Sequence, residues 1–318
     1  MIVWISFITL IVIFLAIDLG IFNKNPHEIT NKEASVWTAI WVSTALLFSL
    51  VIFFIFKHGW VDNPDGLTPT KALLKYITGY LIELSLSIDN IFVIAVIFTS
   101  FRIPKMYQHR VLFWGIIGAI VFRALMILFG VFLIKKFDWI IYVFGAFLIY
   151  TGIKMAFEKD DENYDPRDSF VYKTIRKFIP ITPVINSEHF FIKKKHLTVA
   201  TPLFIALIII EFTDILFALD SIPAILAITS DPFLVFSSNI MAILGLRSMY
   251  FFLANMLERF GYLKYSLVVI LSYVGVKMIL SHHIEIPEWL SLSVIGLSLG
   301  AGVLFSLYQE KKEVLEEQ

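Results

Sequence analysis

Eight ionisable side chains stand where a water-soluble chain would place apolar ones. Glu83, Asp89, Glu211, Asp214 and Asp220, with Asp18 nearer the start, fall inside long apolar runs, and Arg123 and Arg247 lie near the middle of two others. A charge within a bilayer is costly, so such residues mostly face a bundle interior or an aqueous pathway. Carboxylates, the amide of Asn90, hydroxyls and carbonyls are hard oxygen donors, suited to Mg²⁺, Ca²⁺ or Mn²⁺ rather than Cu or Zn. Two chemistries are open to this set. The acids and arginines could pair and neutralise one another as packing glue, or the acids could hold a cation in transit.

A charge count favours the cation. The six acids named above, set against four bases (Arg123, Lys154, Arg247 and Lys277), leave two formal negative charges. An unmatched carboxylate in an apolar core must protonate or find a cation. The steps Glu83→Asp89 and Asp214→Asp220 turn roughly 120° and advance about 9 Å along a helix, so neither pair chelates alone. Ligands must converge from several helices. Glu211 and Asp214, three apart, share a face, and Glu83, Ser87 and Asn90 form a polar stripe. Pro223 cannot donate to the carbonyl of Leu219, which leaves that oxygen for an ion or a water unless the proline is simply a tolerated kink. Met126, Met155, Met249 and Met278 could add a thioether that favours Mn²⁺, although a lone membrane Met is more often packing.

The elements that would position these groups are transmembrane helices. Of 318 residues, 58% are hydrophobic and the mean hydropathy is +0.81. A spanning helix needs about 20 mostly apolar residues. Nine candidates meet or approach this: 2–22, 38–56, 77–100, 111–134, 138–157, 200–229, 233–257, 265–281 and 289–308. The pattern excludes a β-barrel, whose strands would alternate, and predicts an all-α polytopic bundle. The polar stretch 158–198 reads as a loop or small amphipathic excursion. The apolar start lacks a basic region and a cleavage site, so it reads as a retained helix rather than a signal peptide.

Composition removes other classes. Net charge is zero, which gives no argument for nucleic acid, and there is no cysteine, so disulfides, thiolate metal sites and cysteine nucleophiles are excluded. All seven histidines fall outside the proposed spans, against an intramembrane haem or a His-rich zinc site. No nucleophile constellation or phosphate loop is visible; the chain reads as no enzyme, with no permanently bound cofactor.

Orientation follows from Lys and Arg. One alternating set of connections holds Lys24, Lys32, Arg102, Lys105, Arg110, eight in 158–198, Arg259, Lys264, Lys311 and Lys312, which makes 17. The other holds Lys57, Lys71, Lys75, Lys135 and Lys136, which makes 5. The N-terminus is therefore expected outside a cell or plasma membrane, with the long loop and C-terminal tail in the cytoplasm.

The third and sixth spans align without a gap at an offset of 131: Glu83–Ile91 over Asp214–Ile222. The next spans align on Arg123 against Arg247, and the next on Tyr150, Gly152, Lys154 and Met155 against Tyr273, Gly275, Lys277 and Met278. Three ordered matches predict a repeat, and three spans per copy invert the second copy. Secondary transporters use that architecture, with substrate near the midplane. The organisation expected is two helices in 1–60, repeat 1 in 72–157, a cytoplasmic loop in 158–198, repeat 2 in 199–282, and a last helix and tail in 283–318.

At Glu83–Asn90 (ELSLSIDN) and Glu211–Ala224 (EFTDILFALDSIPA) the chain resembles the TerC/Alx family of integral membrane proteins. Asp18-Leu-Gly-Ile-Phe, Glu33-Ala and the Trp37/Trp41 pair resemble that family's N-terminal region. The resemblance covers essentially the whole chain. It implies nine helices, kinship with lysine-exporter-like transporters, manganese efflux, and an acidic motif on Glu83, Asp89, Glu211, Asp214 and Asp220. A link to tellurite resistance, and partnership with the secretion machinery in metal loading of exported proteins, belong to some members only. Two functions follow as expectations: a divalent-cation exporter, Mn²⁺ foremost, or an accessory membrane protein that binds secretion-machinery or stress-protein partners and whose charges are structural.

Overall fold

The computed structural model describes residues 1–20, 29–63, 65–137, 139–157, 167, 170–182, 185, 188–194, 197–253, 263–281, 284 and 286–316. Among the described residues ten helices carry the architecture: α1 Ile2–Gly20, α2 Asn31–Lys57, α3 Pro69–Ser100, α4 Lys105–Lys136, α5 Ile140–Phe157, α6 Phe170–Phe178, α7 Pro202–Leu226, α8 Pro232–Leu253, α9 Leu263–Leu280 and α10 Glu288–Glu316. Seven of them (α2, α3, α4, α5, α7, α8 and α10) are long and apolar enough to cross a membrane. The shorter apolar α1 and the 18-residue α9 stand at the two other positions expected from sequence. The chain is a polytopic helical membrane protein.

Local chemistry sets the helix ends. Thr30 caps α2 by accepting the Glu33 amide at 3.3 Å, and Thr68 caps α3 by accepting the Lys71 amide at 3.3 Å. Pro69 and Pro202 start α3 and α7, where a missing N–H is harmless. α7 continues through Pro223 and ends three residues later at Leu226, so the proline sits in its last turn. α3 and α4 run several residues beyond the apolar windows that predict them, because their polar ends still satisfy the helical hydrogen-bond pattern. Of the two forms expected for 158–198, the described part takes the small amphipathic excursion rather than a bare loop. It holds α6 and an antiparallel hairpin, β1 Phe191–Lys194 with β2 Leu197–Ala200.

α8 is buried almost all round and forms the middle of the bundle, against α2, α3 and α4. The outward residues are apolar: Leu47 and Phe54 on α2, Leu128 and Phe129 on α4, Leu304 and Phe305 on α10. Such a belt would be a liability in water and is ordinary against lipid. Trp60, Trp139 and Trp289 lie exposed beside the ends of α2, α5 and α10, as interfacial aromatics do.

The packing pairs have an exchange pattern. α3 lies on α8 as α4 lies on α7, α3 meets α9 as α5 meets α7, and α3·α7, α4·α8 and α5·α9 meet directly. At α5·α9 the backbones nearly touch. A Cβ on Gly145 would stand 2.9 Å from the Gly275 carbonyl oxygen, and one on Gly275 would stand 2.8 Å from that of Gly145. Nearby, a Cβ on Gly152 would be 3.3 Å from the Val268 carbonyl oxygen.

Candidate functional site

Four helices contribute to one buried polar cluster, with a guanidinium at its centre. Arg123 of α4 is 1% exposed, and the carboxylate of Glu83 on α3 is fully buried against it. Arg123 Nη1 donates to Glu83 Oε1. On its other side Arg123 Nε and Nη2 donate to Asp214 of α7 at 3.2 and 2.8 Å, a two-point contact that fixes the plane of the group. Asn239 of α8 donates to Glu83 Oε2 at 2.8 Å. The repeat alignment places Glu83 and Asp214 at equivalent positions, and the structure brings them to the same arginine.

Beside this triad lies a cavity lined by Asn90, Thr213, Asp214 and Arg247, with apolar walls from Ile94 and Ile116. Asn90 is 4% exposed, and its Oδ1 makes no hydrogen bond. Thr213 donates its hydroxyl to the Ile210 carbonyl at 2.9 Å, which leaves its oxygen able to accept. Arg247, 6% exposed, is buried like Arg123. The lining thus offers amide, hydroxyl and carboxylate oxygens next to a cation. No methionine is among the lining residues. Met126, Met155, Met249 and Met278 pack within apolar clusters instead.

The other acids are spread out. Glu211, half-buried one turn before Asp214, lies flat on α4 at Gly118: a Cβ there would be 2.0 Å from Glu211 Oε1. Its Oε2 has no hydrogen bond. Asp220 accepts from Thr151 of α5 at 3.1 Å and is absent from the cavity lining. The side chains of Asp18 and Asp89 lie outside the described residues. Among the described residues no three His, Asp or Glu stand together as a metal centre would need. Sequence reasoning missed Asn239, Thr151, Thr213 and Gly118. Asn239 and Thr151 carried a faint signal as polar groups in apolar helices, and Gly118 one only through the space it leaves.

Comparison with known proteins matches residues 68–314 to the Integral membrane protein TerC family. "Uncharacterized membrane protein STKORF319" of Myxococcus xanthus is 48% identical over 308 residues, 97% of this chain and 92% of that protein. "Putative membrane-bound redox modulator Alx" of Escherichia coli strain K12 is 44% identical over 293 residues, 92% of this chain and 90% of that one. An "Uncharacterized membrane protein" of Rickettsia bellii is 42% identical over 315 residues, 99% of both. No solved structure matches.

Proposed function

The chain belongs to the TerC family of integral membrane proteins, and from that premise we propose that it exports divalent cations, Mn²⁺ foremost, between two inverted repeats. The observation that carries this reading is the cavity lined by Asn90 of α3 and by Thr213 and Asp214 of α7, with the buried Asn90 Oδ1 making no hydrogen bond. Hard oxygens in that setting suit Mn²⁺, Mg²⁺ and Ca²⁺. Arg123 holds Asp214 and Glu83 in the described state. A cation entering at Asp214 must then compete with Arg123, and that exchange supplies a difference between loaded and empty forms. Asp89 and Asp220 remain the ligands proposed for the transport step, with Glu83, Asn90, Glu211 and Asp214 as co-ligands or gating charges. The exchange pattern of helix contacts supports the inverted repeat. Under the alignment Gly145·Gly275 maps onto Val268·Gly152, and both are close approaches.

Asp89→Asn and Asp220→Asn keep shape and remove charge. Each correctly inserted variant is expected to lower Mn²⁺ movement in vesicles at least tenfold; movement at the parent rate overturns the assignment. A second reading, an accessory protein without transport, is favoured by the Arg123 pairing, since a satisfied triad needs no cation. It predicts that wild-type vesicles move no Mn²⁺. The Escherichia coli relative is named for redox modulation, but this chain has no cysteine, so a thiol–disulfide exchange of its own is excluded.

A further inference from the structure

The end of the bundle where α3 stops and α4 and α7 begin carries a second cavity, lined by Arg102, Arg167 and Arg176 with Phe101, Tyr172 and Thr182. A neighbouring depression adds Lys173 and Lys177, so five cations surround the pair. No carboxylate is among the described lining residues, and the charge that matters to the site is that of Arg102 and Arg176, since Arg167 and Lys173 are engaged by other groups. Glu188, the one acid among the described residues of 158–198, is engaged elsewhere by Arg110 at 2.9 Å. The acids of 158–168 lie outside the described residues.

The cavity is a built feature rather than a scatter of surface charge. Arg167 donates to the Ser100 carbonyl at the C-terminal end of α3, and its guanidinium stacks 5.8 Å from the Phe101 ring centre. Phe101 in turn packs on Tyr172 of α6, with ring centres 5.8 Å apart. Arg102 follows with φ 52°, a left-handed conformation uncommon outside glycine and asparagine, in the turn between α3 and α4. α6 packs Val171, Tyr172 and Ile175 against the bundle and leaves Lys173, Arg176 and Lys177 exposed. At its start Phe170 is 81% exposed, an apolar ring beside cations.

Basic outward residues, an exposed aromatic and a position at the helix ends together describe headgroup depth. We propose that this cavity binds the phosphate of an anionic phospholipid, with Arg102 and Arg176 on the phosphate and Phe170 against the acyl boundary. The site is separate from the Arg123 cavity and does not depend on any transport activity.

Full-length protein, purified and exchanged into phosphatidylglycerol or phosphatidylcholine, is to be assayed by native mass spectrometry for lipid that survives delipidation. Wild type should retain phosphatidylglycerol in preference to phosphatidylcholine. Arg102→Asn and Arg176→Gln should each lower that preference about fivefold, as expected when a cation is removed near an anionic surface, and Arg176→Lys should keep most of it. Both positions are exposed, so an unchanged melting temperature will confirm that folding is intact. Equal retention of the two lipids by wild type overturns the proposal, as does an unaltered preference in the double variant. Retention of inorganic phosphate that displaces the lipid would assign the site to a free anion and overturn it equally.

Discussion

Arg123 is the residue on which the buried chemistry turns. It satisfies two carboxylates from two helices, and removing it leaves both without a counter-charge. Breaking a buried pair by deleting one partner typically costs about 3–5 kcal/mol. Arg123→Gln is therefore expected to lower the melting temperature in detergent sharply. Arg123→Lys keeps the charge but loses the planar two-point contact, and should fall between. Equal stability of all three proteins would show that the triad is not structural. Asp231 makes a different case outside the spans. It accepts the first-turn amides of Phe233 and Leu234 at 2.9 and 3.0 Å, capping α8. Burial pushes its carboxyl up, and Asp65 adds to this, against the two amides and Lys135. A raised carboxyl contributes stability in full below its unfolded value and loses it as pH rises through the higher folded value. Asp231→Asn preserves a cap without the charge. Its melting temperature relative to wild type should therefore rise between about pH 4 and neutrality; a constant difference would refute the sign.

The helices were legible because membrane spans are written as apolar runs, and the paired acids because the aligned motifs are anchored on polar residues. Glu83 and Asp214 align at 131, and the structure then places both on Arg123. Asn239 was not legible, since one amide in an apolar helix has no spacing that names its partner on α3. α6 answers to the small amphipathic excursion expected within 158–198, while the hairpin escaped because four-residue strands carry too few periods to stand out from a polar stretch. The α5·α9 contact was half visible: Gly152 and Gly275 appeared as aligned glycines, while their packing partners did not. Here the small residue is required by a backbone approach. Gly275→Ala would place a methyl 2.8 Å from the Gly145 carbonyl and 3.1 Å from the Ile149 amide nitrogen, neither of which can move without shifting a helix. It is expected to destabilise by about 1–3 kcal/mol. Gly296→Ala on α10 meets nothing within 4 Å and should be neutral or slightly stabilising. A comparison of detergent melting curves separates the two positions. Equal behaviour would mean that the α5·α9 interface is looser than described.

At the scale of the molecule the open term is which face points inward. Lys and Arg divide 17 to 5 between the two sets of connections. The described contacts agree with one grouping of ends. Asp65 meets Ser230 at 3.0 Å, Lys75 meets Glu288 at 3.2 Å, and Lys277 meets Glu288 at 3.3 Å, so the α2–α3, α7–α8 and α9–α10 ends lie together. Arg167 on Ser100 and Arg110 on Glu188 gather the other grouping around α6 and the hairpin. The positively charged end should stay in the cytoplasm, because translocating short basic loops is disfavoured. Reporter fusions after Lys57, within 158–198 and at the C-terminus are expected to read outside, inside and inside. The three sites make the test strict. A whole-molecule inversion would flip every reading, whereas a miscounted span would flip only those beyond it. A cytoplasmic signal after Lys57 would refute this topology, and an outside reading at all three sites would place a miscounted span between Lys57 and the long loop. A reversal of all three would overturn the orientation while leaving the helix packing intact.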